Sequence, residues 1–112
     1  MSSERLPTEL WVRAHVRRYS LEGIPVAITK RGDRHRGMVI LKINRLDDGC
    51  TVLAQTSDLE GKLAWLAALD GNLVSELEAD QYIERQVARD GDLWVVEVED
   101  RAGRCLFEGR IL

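Results

Sequence analysis

A chain of 112 residues with 45% hydrophobic and 31% charged side chains has the length and composition of one globular domain, spanning residues 1–112. These values exclude an intrinsically disordered chain, and no apolar run approaches the roughly 20 residues that a membrane-spanning helix needs. Up to Arg45 the chain has ten Lys and Arg residues and four Asp and Glu residues. After Arg45 it has six Lys and Arg residues and fifteen Asp and Glu residues. The net charge of −3 therefore conceals a basic part and an acidic part, as is typical of a surface that meets a charged partner or of a fold whose two sides neutralise each other.

The predicted location is the cytoplasm. Residues 1–10 lack the apolar stretch of a secretory signal. Two cysteines, Cys50 and Cys105, are too few and too far apart to indicate a disulfide scaffold or a zinc knuckle. We therefore expect reduced thiols and no membrane association.

The first predicted element is a helix from Thr8 to Leu21. Thr8 is suited to cap its start, and Glu9 places an anion in the first turn, where the helix dipole favours it. Gly23 is a typical residue for ending a helix.

Three strands are predicted next, over residues 24–29, 38–43 and 50–55, because apolar side chains recur there between turn-forming residues. Their succession without an intervening helix predicts an antiparallel meander. Residues 63–69 have a helical composition, but they alternate in polarity and lie between Gly61 and Gly71. We predict a fourth strand there.

A second helix is predicted from Ser75 to Arg89, because Ser75 and Glu78 have the spacing of a capping box. Its predicted inward positions are Leu77, Ile83 and Val87.

The clearest strand pattern covers residues 93–99, with Glu97 and Glu99 on the face opposite the apolar side chains. Residues 100–103 predict a turn and residues 104–107 a returning strand. In this hairpin Val98 lies opposite Cys105, and Glu99 pairs with Arg104.

The predicted order is α-β-β-β-β-α-β-β, with strands in runs rather than alternating with helices. This order is typical of the α+β class: a mainly antiparallel sheet of five to six strands with two helices on one face. The predicted core anchors are Trp11, Trp65, Trp94 and Phe107.

Four stretches carry a resemblance to a known family: Leu10-Trp11-Val12 with Arg17-Arg18, Arg31-Gly32-Asp33 followed by Gly37, Lys42-Ile43-Asn44, and residues 92–100 (DLWVVEVED). With them the chain resembles a bacterial family catalogued as domain of unknown function 1491. The last stretch is the most specific. The resemblance implies a small cytoplasmic bacterial protein and no known activity.

Signals for catalysis are weak. The glycine spacing from Gly32 to Gly37 fits a phosphate-binding loop, but Met38 and Val39 stand where such a loop needs Lys and Ser or Thr. A nucleophilic pair or a metal site would need the two cysteines beside His15 or His35, and no signature or ligand spacing links them.

Two groups of acids have alternative interpretations. Glu97 and Glu99, roughly 7 Å apart on one strand face, could divide acid and base roles, although alternating Glu also keeps a half-buried sheet soluble. The acids of the second helix predict a solvated face, or a docking surface for a basic partner: Glu76, Glu78, Asp80 and Glu84. We expect no catalytic residue, no cofactor, no metal and no enzyme activity.

The basic residues of the first helix and the following loop are the candidate binding residues: Arg13, Arg17, Arg18, Arg31, Arg34, His35 and Arg36. If helix and loop lie side by side, these residues form one patch. We predict a protein-interaction module, with an unknown protein partner or self-association of basic face to acidic face. Binding of nucleic acid or nucleotide phosphates through the same patch is the alternative, although the patch has no interleaved aromatic side chains for base stacking.

Overall fold

The structure is a computed structural model that describes residues 6–112; Arg5, counted above among the basic residues, lies outside this range. It contains the helices α1 (Thr8–Leu21) and α2 (Glu76–Arg89) and six strands: β1 (Val26–Lys30), β2 (Val39–Asn44), β3 (Cys50–Ser57), β4 (Leu63–Ala67), β5 (Trp94–Glu99) and β6 (Arg110–Ile111). The α+β class, both helices and the fourth strand are confirmed.

The sheet has the strand order β1-β5-β2-β3-β4-β6 and is mixed. β5 lies between β1 and β2, antiparallel to the first and parallel to the second, and β6 is parallel to β4. The predicted meander of β1, β2 and β3 is therefore wrong; the antiparallel succession consists of β2, β3 and β4. Periodicity within a strand identifies the strand but not its distant partner, so the insertion of β5 had no local signal.

The predicted hairpin at the end of the chain is also wrong. Val98 pairs with Val26 and Ile43, and residues 104–107 form no strand. Arg104 pairs with Asp100, at 2.9 Å from its Nε to Oδ2, rather than with Glu99. The carboxylate of Asp100 closes this turn because it also accepts the backbone N–H of Arg104.

The two helices lie on opposite faces of the sheet, rather than on one face as predicted. Every residue of β2 is buried. Val39, Leu41 and Ile43 pack in the cluster that contains Val12 and Tyr19 of α1, whereas Ile40 packs in the cluster that contains Ala79 and Ile83 of α2. A central strand that is apolar on both sides needs a cover on both sides.

Most of the predicted inward side chains are buried. Trp65, Trp94 and Phe107 are at most 3% exposed, and Trp11 packs against them partly buried. In α2, Ile83 is buried and Val87 partly so, but Leu77 is 67% exposed, and Ala79 takes the inward position. Neither helix of the described residues has the length and apolar character needed to cross a bilayer.

Candidate functional site

Residues 31–38, which we call the crossover loop, connect β1 to β2 across the start of β5. The loop is held there by hydrogen bonds: the Asp33 N–H donates to the Asp92 carbonyl at 3.0 Å, and the Trp94 indole N–H donates to the Asp33 carbonyl at 2.7 Å. A Cβ atom at Gly32 or Gly37 would overlap the Asp92 carbonyl oxygen. The glycines therefore permit close backbone packing, and the loop is not the simple hairpin connection that its sequence suggested.

The start of α1 is docked on the crossover loop. The N–H groups of Thr8 and Glu9 donate to the carbonyls of His35 and Arg34, at 3.2 and 2.9 Å. The Thr8 hydroxyl donates to the Gly37 carbonyl at 3.0 Å, so it does not cap the helix as predicted. Because loop carbonyls accept the free amides of the first turn, the basic helix and the basic loop lie side by side.

Three arginines of these two segments surround one carboxylate. The Glu9 oxygens lie 3.1 Å from Arg34 Nε, 3.5 Å from Arg13 Nη2 and 3.6 Å from Arg31 Nη1. The hydrogen bond from Arg34, together with the charges of all three guanidinium groups, lowers the pKa of Glu9. We call Arg13, Arg31 and Arg34 the arginine cluster. Their side chains are 56–76% exposed, and Glu9, the one carboxylate beside them in residues 6–112, leaves an excess of two positive charges.

The other four candidate residues fall into two pairs. Arg17 and Arg18 are exposed further along α1, and the described residues offer them no ion pair within 4 Å. His35 and Arg36 lie at the opposite side of the loop, where they line a groove. The patch predicted from sequence is thus three residues on one carboxylate, two beside the groove and two outside both groups.

The groove has a volume of about 1170 Å³ and lies between the start of α1, the crossover loop and the ends of β3 and β4. Its apolar walls are Leu6, Pro7, Trp11, Met38 and Leu63. Its two acids are engaged within the protein. The Asp33 carboxylate accepts the backbone N–H groups of Arg36 and His35, which lowers the pKa of Asp33. Glu108 accepts the Trp11 indole N–H at 2.7 Å.

Of the residues weighed for nucleophilic chemistry, His15 and the two cysteines are placed for packing, whereas His35 is exposed on the crossover loop. His15 is 7% exposed, stacks on Phe107 with ring centroids 4.8 Å apart, and has its Nδ1 2.8 Å from the Trp11 carbonyl. Burial raises the pKa of the Cys50 and Cys105 thiols, which disfavours the thiolate that catalysis needs. Among residues 6–112, no three His, Cys, Asp or Glu side chains are arranged to hold a metal ion.

Sequence reasoning missed a buried ammonium on the other face of the sheet. Lys42 in β2 is 3% exposed, and its Nζ lies 2.7 Å from Asp80, 2.8 Å from Glu76 and 3.6 Å from Glu97. Burial alone would lower the pKa of Lys42, but the hydrogen bonds to Asp80 and Glu76 outweigh it and raise this pKa above its ordinary value. The group therefore stays charged and is a structural cation rather than a nucleophile.

This ion cluster changes the interpretation of the acids. Glu76 and Asp80 do not belong to a free solvated face, because they form ion pairs with Lys42 across the interface of α2 and the sheet. Glu97 also faces Lys42, so it is not a partner of Glu99 in a paired-carboxylate site. The available signal was a lysine within the apolar run of β2, where a buried cation requires nearby carboxylates.

The fold is a small α+β domain: a mixed sheet covered by a helix on each face, with the groove and the arginine cluster beside the crossover loop. Residues 6–108 match the family described as protein of unknown function (DUF1491), so the chain belongs to that family and the resemblance seen in the sequence is confirmed. No curated protein matches the chain.

Solved structures of bacterial relatives show the same fold. A crystal structure of a DUF1491 family protein from Caulobacter crescentus CB15 is 30% identical, with a TM-score of 0.87 over 96% of this chain and 100% of that one. An NMR structure of a DUF1491 family protein from the same organism is 30% identical, with a TM-score of 0.85 over 98% and 99% of the two chains. Protein Atu0922 from A. tumefaciens is 26% identical, with a TM-score of 0.71 over 86% of each chain.

Proposed function

We propose that this chain is a cytoplasmic protein-interaction module whose arginine cluster binds an acidic surface of a partner protein. The observation that carries the proposal is the convergence of Arg13, Arg31 and Arg34 on Glu9, which within residues 6–112 leaves two cationic charges without an acid beside them. Guanidinium groups suit such contacts because each offers several N–H donors in a planar arrangement that matches a carboxylate.

The rigid attachment of the crossover loop supports this function. Asp33 and Trp94 fix the loop on β5, and the first turn of α1 hydrogen-bonds to it. The backbone that carries Arg31 and Arg34 is thus ordered before binding, so a partner does not have to order it at its own cost in free energy.

A separate partner is favoured over a second copy of the chain. The arginine cluster and the acidic helix α2 lie on opposite faces of the sheet, so basic-to-acidic contact between copies would be heterologous and would not close by a two-fold axis. Glu76 and Asp80 are moreover already paired with Lys42.

Affinity capture from a lysate of the source organism tests the proposal. The immobilised wild type is compared with Arg31→Glu/Arg34→Glu and with the matched control Arg85→Glu/Arg89→Glu, which makes the same charge change at exposed positions of α2. We expect the first variant alone to lose specific proteins that the wild type retains, and their retention to weaken as salt rises, since exposed charges are screened.

Three outcomes would overturn the proposal. Equal loss in both variants would show that net charge alone matters. Capture that disappears after nuclease treatment would indicate phosphate contacts with nucleic acid instead. A molar mass in light scattering that rises with concentration, and falls back in Arg31→Glu/Arg34→Glu, would indicate a second copy of this chain.

A further inference from the structure

The groove beside the arginine cluster is a second feature that a partner has to fit, and its size limits the occupant. Its volume of about 1170 Å³ exceeds the roughly 300–1,000 Å³ typical of pockets for small ligands. Five apolar side chains line it, and Met38 is 40% exposed within it. A chain segment with an apolar side chain fits these dimensions and this lining.

The groove also reaches a strand edge that has no neighbouring strand among residues 6–112. Pairing of β2 with β3 ends at Ile40 and Ala54, whereas pairing of β3 with β4 continues to Ser57 and Leu63. In the described part of the chain, residues 55–57 therefore have a strand on one side only. The Val39 N–H, the next donor of β2, bonds the Gln55 side chain at 2.9 Å, so β2 does not extend along this edge. Such an edge can accept an added strand.

Two side chains of the groove, Arg36 and His35, suit an acidic group of the occupant. Asp33 and Glu108 accept hydrogen bonds from the protein itself, through the loop amides and the Trp11 indole. Arg36 and His35 line the same groove, and within residues 6–112 neither makes an ion pair within 4 Å. A carboxylate entering the groove would meet these two side chains.

We propose that the groove binds an extended peptide segment of the partner, in which an apolar residue lies beside an Asp or Glu, and that this segment adds as a short strand to residues 55–57 of β3. The inference deepens the proposed function and rests on it. The apolar side chain lies against Met38, Leu63 and Trp11, and the carboxylate lies against Arg36. Backbone hydrogen bonds to β3 set the direction of the segment, so alternate residues of the peptide face the groove.

The first measurement is a selection of random dodecapeptides displayed on phage against the complete chain. We expect the enriched peptides to share an apolar residue next to an Asp or Glu. The strongest one, made synthetically, is then titrated against the ¹⁵N-labelled protein. The largest amide shifts are expected at residues 36–38 and 55–57. Enrichment without acidic residues, or shifts confined to other surfaces, overturns the proposal.

Variants and modified peptides test the strand. Arg36→Gln should weaken the synthetic peptide about threefold or more and Met38→Asp about tenfold or more, whereas the control Arg85→Gln leaves its affinity unchanged. Arg36→Gln changes an exposed side chain, so it serves as the folded variant if Met38→Asp does not fold. N-methylation of successive peptide amides should weaken binding at alternate positions only. Uniform or absent effects of N-methylation overturn strand addition.

The lysate capture separates the two proposals. If capture is lost in Arg31→Glu/Arg34→Glu but complete in Arg36→Gln and Met38→Asp, the proposed function stands and the proposed binding of a peptide in the groove is overturned. Capture that is complete in all of these variants overturns both.

Discussion

Two ion clusters on opposite faces of one sheet have inverse compositions. On the α2 face, one cation, Lys42, is surrounded by three carboxylates. On the α1 side, one carboxylate, Glu9, is surrounded by three guanidinium groups. In both clusters the central group is the less exposed one: 4% of the Lys42 side chain and 16% of the Glu9 side chain are exposed, whereas the carboxylates around Lys42 are 26–56% exposed and the arginines around Glu9 are 56–76% exposed.

The comparison separates a structural cluster, whose charges stabilise the fold, from an available one, whose surplus charge is exposed to other molecules. A buried ammonium needs its carboxylates, because an uncompensated charge in the interior is costly. Exposed arginines need no partner within the chain, since water solvates them, and their surplus charge remains free for another molecule. The charge asymmetry of the sequence thus has two structural meanings: the ions around Lys42 hold the fold together, whereas those around Glu9 are the basis of the proposed binding.

The largest expected effect comes from removing the partners of Lys42. Glu76→Gln/Asp80→Asn leaves a buried ammonium with one carboxylate 3.6 Å away, so we expect the free energy of unfolding to fall by roughly 3 kcal/mol. Urea unfolding measures it. Lys42→Met should lose less than half as much, because the half-exposed carboxylates of Glu76 and Asp80 are hydrated once the cation is gone.

The matched control for this prediction is Glu84→Gln/Glu99→Gln, which removes two exposed carboxylates with no ion pair within residues 6–112. We expect a change below about 0.5 kcal/mol. Equal losses of unfolding free energy in the test and control variants would mean that the carboxylates around Lys42 stabilise the fold no more than other surface carboxylates do.

The two clusters also differ in how far local sequence could predict them. The capping box at Ser75, confirmed by the hydrogen bond from the Glu78 N–H, located α2, and the alternation around Trp65 located β4. These features depend on neighbours in sequence. Lys42 had a local signal, an apolar run interrupted by one charge, that indicates burial but not which acids approach it.

The Glu9 cluster had less local signal. The grouping of Arg31 and Arg34 on one loop was visible, but the approach of Glu9 depends on α1 docking across the crossover loop. That docking follows from the insertion of β5 between β1 and β2, which joins segments at least 55 residues apart. Side-chain periodicity carries no information on such pairing. The groove could not be predicted for the same reason, since its lining comes from five separated segments.

The second prediction tests whether the crossover loop is pinned, as a preformed arginine cluster requires. A Cβ at Gly32 would overlap the Asp92 carbonyl and the Leu93 backbone, which cannot move independently of β5. Gly32→Ala should lower the free energy of unfolding by about 2 kcal/mol and weaken partner capture. Gly91→Ala is the control, because a Cβ there has no atom within 4 Å. Similar stability in both variants would mean that the backbone of the crossover loop shifts easily to accommodate the added methyl group.

The third prediction concerns an ion pair that is intermediate between the two clusters in its exposure. The buried carboxylate of Asp100 pairs with the half-exposed guanidinium of Arg104. The hydrogen bond from Arg104, followed by those from the turn amides, lowers the pKa of Asp100 to about 2. A carboxyl whose pKa is lower in the folded state stabilises the fold above its unfolded pKa of about 3.8, and this contribution is lost as the pH falls towards 2. Asp100→Asn should therefore cost about 1–2 kcal/mol at neutral pH.

Urea unfolding at several pH values between about 7 and 2 checks this prediction, because the difference between wild type and Asp100→Asn should shrink on acidification. Asp47→Asn is the control: that side chain is 87% exposed beside Arg101, and we expect no pH-dependent difference. A difference that stays constant down to pH 2 would show that the Asp100 charge does not stabilise the turn.

The smallest effect is expected at the centre of the arginine cluster. Glu9→Gln keeps the shape of the side chain but removes the one charge that neutralises Arg13, Arg31 and Arg34, so the surplus rises from two to three. We expect little change in the urea midpoint and a roughly two- to fivefold stronger retention of captured acidic proteins at low salt. Glu22→Gln, at the far end of α1 and 4.0 Å from Arg104, makes the same charge change away from the cluster.

The direction of the change at Glu9 decides between two roles. If this carboxylate only offsets charge, Glu9→Gln binds more strongly than both the wild type and Glu22→Gln, and the gain disappears at high salt, where exposed charges are screened. If Glu9 instead holds the three guanidinium groups in one arrangement, its loss weakens capture, as Arg31→Glu/Arg34→Glu does. The second result would make the Glu9 cluster resemble the Lys42 cluster, in which the central charge organises its neighbours, and would contradict the division between an available cluster and a structural one.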